Sequence, residues 1–314
     1  MKLLRLAPKN TQIPFLAIRN LTFGISGFLG VASVVLLLAF GLNFGIDFRG
    51  GILIEVRTSD ASSIGAMRAS VSNLGLGDVS LQEFGDPRDI LIRIEQQPGG
   101  EEAQLAASDL VKVALVREFG EVEYRRVEFV GPKVSAELIR KGLLALALAL
   151  AAMMIYIWLR FEWQFGLGAV IAIAHDVLLT MGLFSLLQLE FNLSIIAAIL
   201  TIIGYSMNDT VVIYDRVREN LRKYRSLGLI ELLNRSTNDT LSRTLVTSAT
   251  TLLALLALFF FGGAVIKGFT FAMIWGVFVG TYSSVFVAAP LLIYMGVHRG
   301  AIAEDTKTAE EQAG

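Results

Sequence analysis

The chain has 314 residues, 54% of them hydrophobic and 18% charged, and its mean hydropathy is +0.62. Soluble domains average roughly 45–50% apolar and about 25% charged residues, so this excess exceeds what a water-soluble core accounts for. A net charge of −1 excludes nucleic-acid binding by bulk electrostatics, the lack of cysteine excludes disulfides, cysteine–zinc sites, iron–sulfur clusters and thiol nucleophiles, and two histidines (His175 and His298) cannot build a multi-histidine metal centre.

Nearly charge-free windows long enough to cross ~30 Å of hydrocarbon recur along the chain. They predict six transmembrane helices: Leu21–Leu42, Gly142–Leu159, Phe165–Leu187, Asn192–Tyr214, Leu245–Phe261 and Gly268–Val297. Lys2, Arg5, Lys9 and Arg19 precede the first, as in a signal peptide. Its apolar stretch of about 20 residues exceeds a typical h-region and no A-x-A-like site closes it, so it reads as a retained anchor.

Orientation follows the Lys/Arg bias in short flanks. Residues 1–20 hold four basic residues and no acidic one, and the Asp215–Thr244 loop holds seven basic and four acidic. The Leu187–Asn192 turn carries only Glu190, and Gly262–Lys267 only Lys267. Both termini and the Asp215–Thr244 loop are therefore expected in the cytoplasm, and residues 43–141 in the periplasm. Small residues let helices approach closely. Gly276 and Gly280 form a GxxxG pair on the last span, and Gly24, Gly27 and Gly30 mark a small face on the first.

Residues 43–141 have soluble composition, with 12 basic and 16 acidic residues. Gly51–Thr58 reads as a strand, and Ala61–Leu74 as a helix with Ile64, Met67, Val71 and Leu74 on one face. Asp78–Phe84 is a strand, Gly85–Arg88 a turn, and Asp89–Glu95 alternates Ile90, Ile92 and Ile94. Glu101–Phe119 is a second helix with an acidic first turn and a Gly120 stop. Glu121–Val130 closes as a strand. The order βαββαβ predicts an α+β ferredoxin-like domain between helices 1 and 2. It holds no Ser-His-Asp set, phosphate loop or metal cluster, and the fold alone assigns no chemistry. Glycine-containing junctions join it to the spans: Gly45–Gly51 on the way in and Val130–Ser135 on the way out.

An ionisable residue inside a span costs roughly 2.5–3.5 kcal/mol on insertion scales. Asp176 sits mid-span after His175. Asp209 follows Gly204, Tyr205, Ser206 and Asn208, and Arg243 opens the fifth span beside Thr240, Thr244, Thr247, Ser248 and Thr251. One reading is a proton relay of Asp209, Arg243 and Asp176, balanced between desolvation and a nearby cation. The other is a static Asp–Arg brace between helices. Asp215 and Arg216 read as interfacial anchors, His175 as a hydrogen-bonded packing residue, and Tyr205 and Tyr214 as packing aromatics.

These residues resemble the SecD/SecF family of protein-export factors in the resistance-nodulation-division superfamily, and within it the smaller, SecF-type half. The resemblance runs from Arg19 to Val297. It rests on GIDFRGG (Gly45–Gly51), VGPKVS (Val130–Ser135), HD (His175–Asp176), GYSMNDTVVIYDRVREN (Gly204–Asn220) and SRTLVTSATT (Ser242–Thr251). It implies a bacterial inner-membrane subunit, not an enzyme, that pairs with SecD and associates with the SecYEG channel. Such a subunit promotes export of unfolded preproteins with proton-motive force and no other cofactor. Asp209 matches the family's transmembrane acid and Arg243 its basic counterpart. Gly45, Asp47, Arg49, Gly50 and Gly51 match a junction motif of conformational role, and Gly131 and Pro132 belong to the second junction. A single six-span unit leaves the SecD half to a separate polypeptide.

Three other readings compete. A small-molecule or lipid exporter half needs a drug-sized cavity of at least ~300 Å³, for which a domain this small has little room. An intramembrane aspartyl protease needs two facing aspartates. Tyr214–Asp215 supplies a YD, but no GxGD exists, and Asp215 lies about 240° around the helix from Asp209. A scaffold that recruits the channel would keep every motif and tolerate Asp209→Asn. Arg216–Ser242 contains amphipathic stretches fit for a membrane surface or a partner. The polar tail beyond Arg299 is expected to be disordered.

Overall fold

The computed structural model describes residues 11–58, 64–84 and 86–297. Lys2, Arg5, Lys9, the start of the helix expected at Ala61–Leu74, Gly85, His298 and the tail expected to be disordered lie outside the described residues. Among the described residues, six helices are long and apolar enough to cross a membrane: Phe15–Phe40, Val134–Arg160, Trp163–Leu187, Leu193–Lys223, Leu229–Phe261 and Lys267–Tyr294. The chain divides into two compact units. One is helical (Met1–Leu42, Leu146–Leu189, Ile195–Gly314), and the other is mixed α/β (Asn43–Ala145, Glu190–Ser194).

The mixed unit begins with β1 (Asn43–Phe44) and a single helical turn, α2 (Ile46–Arg49). There follow β2 (Gly51–Thr58), α3 (Ile64–Ser72), β3 (Val79–Phe84), β4 (Asp86–Ile94), α4 (Glu101–Phe119) and β5 (Val122–Val130). The four long strands form an antiparallel sheet in the order β3-β4-β2-β5. Period-2 alternation sends Ile52, Ile54 and Val56 of β2 to the face that also holds Ile90, Ile92 and Ile94 of β4. Met67 and Val71 of α3 and Val111 and Leu115 of α4 cover that face, and all ten of these side chains are buried. The tight β3–β4 connection differs from the expected Gly85–Arg88 turn. Pairing resumes at once, Phe84 opposite Asp86, through a register shift, so Asp86, Pro87 and Arg88 already belong to β4.

The helical unit comprises α1 (Arg19–Phe40), the membrane portion of α5 (Pro132–Arg160), α6 (Trp163–Leu187), α7 (Leu193–Lys223), α8 (Leu229–Phe261), α9 (Lys267–Ser283) and α10 (Ala289–Tyr294). A π-helical stretch, Ser284–Ala288, joins the last two. Pro290 has no N–H to give to the Phe286 carbonyl, which instead receives the Thr22 hydroxyl at 3.5 Å.

Two expectations fail here. Residues 215–244 are not a loop: α7 runs on to Lys223 and α8 starts at Leu229, leaving only a short turn. The charges at Asp215 and Arg216 end the apolar stretch without ending the helix, because no glycine or proline follows until Gly228. The amphipathic stretches of Arg216–Ser242 pack on one another. The Asn220 amide donates to Ser236 Oγ at 3.0 Å and to Asp239 Oδ2 at 3.2 Å, and Arg216 Nε reaches Asp239 at 3.0 Å. Asn234 and Asn238 of α8 also accept the amides of Leu16 and Ile13 at 3.0 and 2.9 Å.

The second failure is the small face of α1. A Cβ on Gly24 or Gly27 would meet nothing within 4 Å, and one on Gly30 only Leu178. The buried stripe of α1 is Thr22, Ser26 and Ser33 instead. The glycine pair on α9 does mark a close approach, since a Cβ at Gly276 would strike Ile202 of α7 and one at Gly280 would lie 2.9 Å from Ser206. Gly276→Val is therefore expected to cost about 1–3 kcal/mol, read as a lower thermal unfolding midpoint of the detergent-solubilised chain. Gly24→Val, on the open face of α1, is expected to leave that midpoint unchanged.

Candidate functional site

Because α9 approaches α7 so closely, hydroxyls on the two helices come within bonding reach. Thr210 and Ser284 share a hydrogen bond of 2.8 Å, and the Ser284 hydroxyl also donates to the Gly280 carbonyl at 2.8 Å. On the α8 side, Tyr205 donates to Ser248 at 3.1 Å, and Ser248 and Thr281 lie 2.8 Å apart. Hydrocarbon supplies no competing partners, so these groups must satisfy one another.

Asp176 of α6 sits at the centre of this arrangement with 1% of its surface exposed. Its Oδ2 accepts from Ser206 of α7 at 2.5 Å and from Ser283 of α9 at 2.8 Å. Its Oδ1 pairs with His175 Nδ1 at 2.9 Å. With the carboxyl ionised its oxygen can only accept, and Nδ1 is then the donor. His175 Nε2 is buried without a partner among the described residues. The imidazole stacks on Tyr282, whose hydroxyl donates to the Thr22 carbonyl of α1 at 3.1 Å. One carboxylate thus ties α6, α7 and α9 together directly, and α1 through the histidine and tyrosine.

Asp209 is different. It lies one turn beyond Tyr205 on α7, on the α8-facing side, with 2% exposure. Its Oδ2 is buried with no hydrogen-bond partner among the described residues, and the same holds for Thr244 Oγ1 of α8. The expected Asp209–Arg243 pair is not formed. Arg243 acts on Asp209 electrostatically, but it is exposed and makes no salt bridge among the described residues. Of the expected hydroxyl stripe, Thr240, Thr244 and Ser248 are buried, while Thr247 bonds back to its own helix at Arg243 and Thr244. A buried polar atom without a partner is rare in native proteins and costly, and it marks where another chain, a water or a proton belongs. Ser206 and Ser283, which complete the Asp176 site, were not singled out as site residues. Their only signal is the helical offset of Ser206 from Asp209 and the GxxxG pair ahead of Ser283.

The first junction forms a second polar cluster. Asn43–Phe44 pairs in parallel with β6 (Glu190–Phe191), and the Gly45 amide donates to Phe191 at 2.9 Å. Arg93 of β4 bonds Asn43 at 3.0 Å and Glu190 at 2.7 Å. The turn expected to carry only Glu190 is thus a short strand tied to the α/β unit. Asp47 Oδ2 accepts the Leu193 amide at 2.8 Å, capping the N-terminus of α7 with an anion, as the helix dipole favours. Arg49 is exposed at the rim of a polar cavity of about 450 Å³ that Asp78, Arg93 and Glu95 also line. Gly51, at φ 113°, has no room for a Cβ, which would strike the Ile94 carbonyl, and a Cβ on Gly50, at φ 74°, would lie 3.2 Å from the Val130 carbonyl. At the second junction only Gly131 separates β5 from α5, which starts at Pro132, so the strand feeds the helix without slack. The Ser135 hydroxyl donates to the Ile46 carbonyl at 3.4 Å, joining the two junctions.

Residues 111–298 match the family model described as "Protein export membrane protein SecD/SecF, C-terminal", and residues 35–61 match "SecD/SecF GG Motif". The chain is 47% identical over 316 residues to the protein translocase subunit SecF of Cereibacter sphaeroides, covering 99% of this chain and 98% of that protein. To the SecF subunit of Rickettsia felis it is 48% identical over 290 residues, covering 92% and 94%. It is similar to the crystal structure of SecDF, a translocon-associated membrane protein, from Thermus thermophilus, with a TM-score of 0.80 and 35% identity over 94% of this chain. A second SecDF crystal structure, in a super-membrane-facing form, gives 0.65 and 31% over 98%. This chain spans only 39% and 41% of those two chains. It belongs to the SecD/SecF family of protein-export membrane proteins.

Removing a donor from Asp176 leaves part of a buried carboxylate unsatisfied. Ser283→Ala is expected to destabilise the detergent-solubilised chain by about 1–3 kcal/mol. In a double-mutant cycle with Asp176→Asn, the combined loss is expected to be less than the sum. Asp47→Ala is expected to cost about 0.5–2 kcal/mol and to speed amide hydrogen exchange in the first turn of α7, with Asp47→Asn recovering most of the protection.

Proposed function

We propose that this member of the SecD/SecF family is a SecF-type subunit of the preprotein export machinery, driven by proton-motive force and paired with SecD. Full-length similarity to SecF subunits supports this reading. The likeness to SecDF chains, of which this chain spans about two fifths, supports SecD as a partner. The same family identity and the six apolar helices support a bacterial inner-membrane protein. Its work is mechanical transport with no catalytic residue. SecYEG and an unfolded preprotein are its further partners, and the proton gradient is its energy source.

The observation that carries the mechanism is the contrast between two buried carboxylates on neighbouring helices. Asp176 is saturated by three donors, whereas Asp209 has an oxygen with none. A saturated carboxylate is a poor carrier, because moving its proton breaks bonds that hold helices. Asp209 takes and releases the proton, Arg243 supplies the opposing charge from α8, and Asp176 keeps the bundle in register while its hydroxyl partners lead toward Asp209. Each proton crossing the potential supplies about 2.3 kcal/mol per 100 mV. The exposed, unpaired Arg243 supports a site completed by the SecD half.

The Lys/Arg bias supports cytoplasmic termini, a cytoplasmic α7–α8 turn and a periplasmic α/β domain over residues 43–141. That domain is ferredoxin-like, a reading supported by the order strand–helix–strand–strand–helix–strand, the sheet order β3-β4-β2-β5 and both helices on one face. Asp47 and Arg49, with Gly45, Gly50, Gly51, Gly131 and Pro132 at the junctions, transmit helix movement to the domain, which works on the emerging preprotein.

The test is export of a pulse-labelled secreted reporter in cells lacking the native subunit, complemented by wild type, Asp209→Asn or Arg243→Met, with membrane levels of each variant and of SecD checked in parallel. Asp209→Asn is expected to assemble normally and stall export. Export at the wild-type rate would turn the assignment over to a scaffold or to Asp176.

A further inference from the structure

One charged cavity takes no part in the reading above. α5 ends at Arg160, the chain turns through Phe161 and Glu162, and α6 starts at Trp163. The last turns of α7 face this corner. Together they enclose about 620 Å³ lined by Arg160, Asp215, Arg218, Glu219, Arg222 and Lys223. Both carboxylates are already engaged, Asp215 with Arg160 at 2.7 Å and Glu219 with Arg216 at 2.5 Å. Among the described residues, Arg218, Arg222 and Lys223 have no acidic partner. Arg218 is also held in place, donating to the Arg160 carbonyl at 3.0 Å and lying over the Phe161 ring at 5.4 Å. Its Nε is buried without an acceptor. Cations gathered around one cavity, one of them positioned and only partly satisfied, are a receptor for an anion with several oxygens.

A second, apolar cavity of about 630 Å³ follows the same pair of helices, between Met154 and Trp158 on α5 and Trp163, Leu167 and Val170 on α6. Trp158 and Trp163 are 76% and 61% exposed and bracket the turn that carries Arg160. Exposed tryptophans at a helix turn mark the level where hydrocarbon meets headgroups. The groove therefore lies at acyl-chain depth and the basic cavity just above it, at headgroup depth. A ligand fitting both has a hydrocarbon chain and a phosphate. Zwitterionic headgroups bring their own cation, and three unpaired cations disfavour it, so net negative charge is selected.

We propose that the α5–α6 turn and the end of α7 form a binding site for an anionic diacyl phospholipid, its chain along the Trp158–Trp163 groove and its phosphate among Arg218, Arg222 and Lys223. The lipid anchors the end of the helix that carries Asp209.

The chain contains three tryptophans. With Trp275→Phe, fluorescence reports only the two that flank the groove. The full chain is reconstituted in phosphatidylcholine nanodiscs containing, at matched mole fractions, phosphatidylglycerol or phosphatidylcholine brominated on its acyl chains. Brominated phosphatidylglycerol is expected to reach half-maximal quenching at a mole fraction about threefold or more lower. The R218Q/R222Q/K223Q variant is expected to merge the two curves. R222Q and K223Q alone, at exposed positions, carry the same comparison if the triple variant does not reconstitute, each narrowing the gap. Coincident curves without these substitutions, or a gap that survives them, overturn the proposal. So does a gap abolished by millimolar glycerol phosphate, which would make the ligand a soluble phosphate ester.

Discussion

The bond between the Asp176 carboxylate and the hydroxyls of Ser206 and Ser283 sets the positions of three helices at once. In hydrocarbon a carboxylate has no water to fall back on, so its donors must come from the chain. That demand fixes the depth of α7 and α9 relative to α6, and the close α7–α9 contact is what allows it to be met. Gly276 and Gly280 leave room for Ile202 and Ser206, and without that room Ser206 and Ser283 would not share one oxygen. The π-helical stretch after Ser283 belongs to the same solution. The helix widens where Pro290 withholds an N–H, and Ser284 turns its hydroxyl back to Gly280 and toward the Ser206 carbonyl.

Against this well-satisfied centre the α7–α8 side is underfilled. Asp209 and Thr244 each present a buried oxygen without a partner among the described residues, and Arg243 is exposed. A static brace between Asp209 and Arg243 would show a short ion pair. No such pair is present among the described residues.

Much of this was legible from the residues. The second helix of the α/β domain was expected at Glu101–Phe119 and occupies those residues, because acidic residues open it and glycine closes it. The sheet strands were visible as alternation, since one face is buried under two helices. Failures cluster where local chemistry and environment part. Charge at Asp215 reads as the end of a span, yet the backbone continues as helix into water. The glycines at 24, 27 and 30 read as a contact face, yet hydroxyl-bearing Thr22, Ser26 and Ser33 make it. In the site, both carboxylates were found because ionisable residues in apolar runs stand out. Ser206 and Ser283 were missed because a serine in a span carries no signal until its partner's position is known, and that is a three-dimensional fact.

The first junction reaches the helix that carries Asp209. α7 is one unbroken helix whose first amide is held by Asp47 and which carries Asp209 further along. The cap is an anion on a helix N-terminus, the placement that the helix dipole favours. Gly50 and Gly51 sit next to it in backbone conformations that no branched residue adopts, and β5 passes into α5 with a single glycine between them. The sequence spends its glycines there on tight geometry rather than on slack.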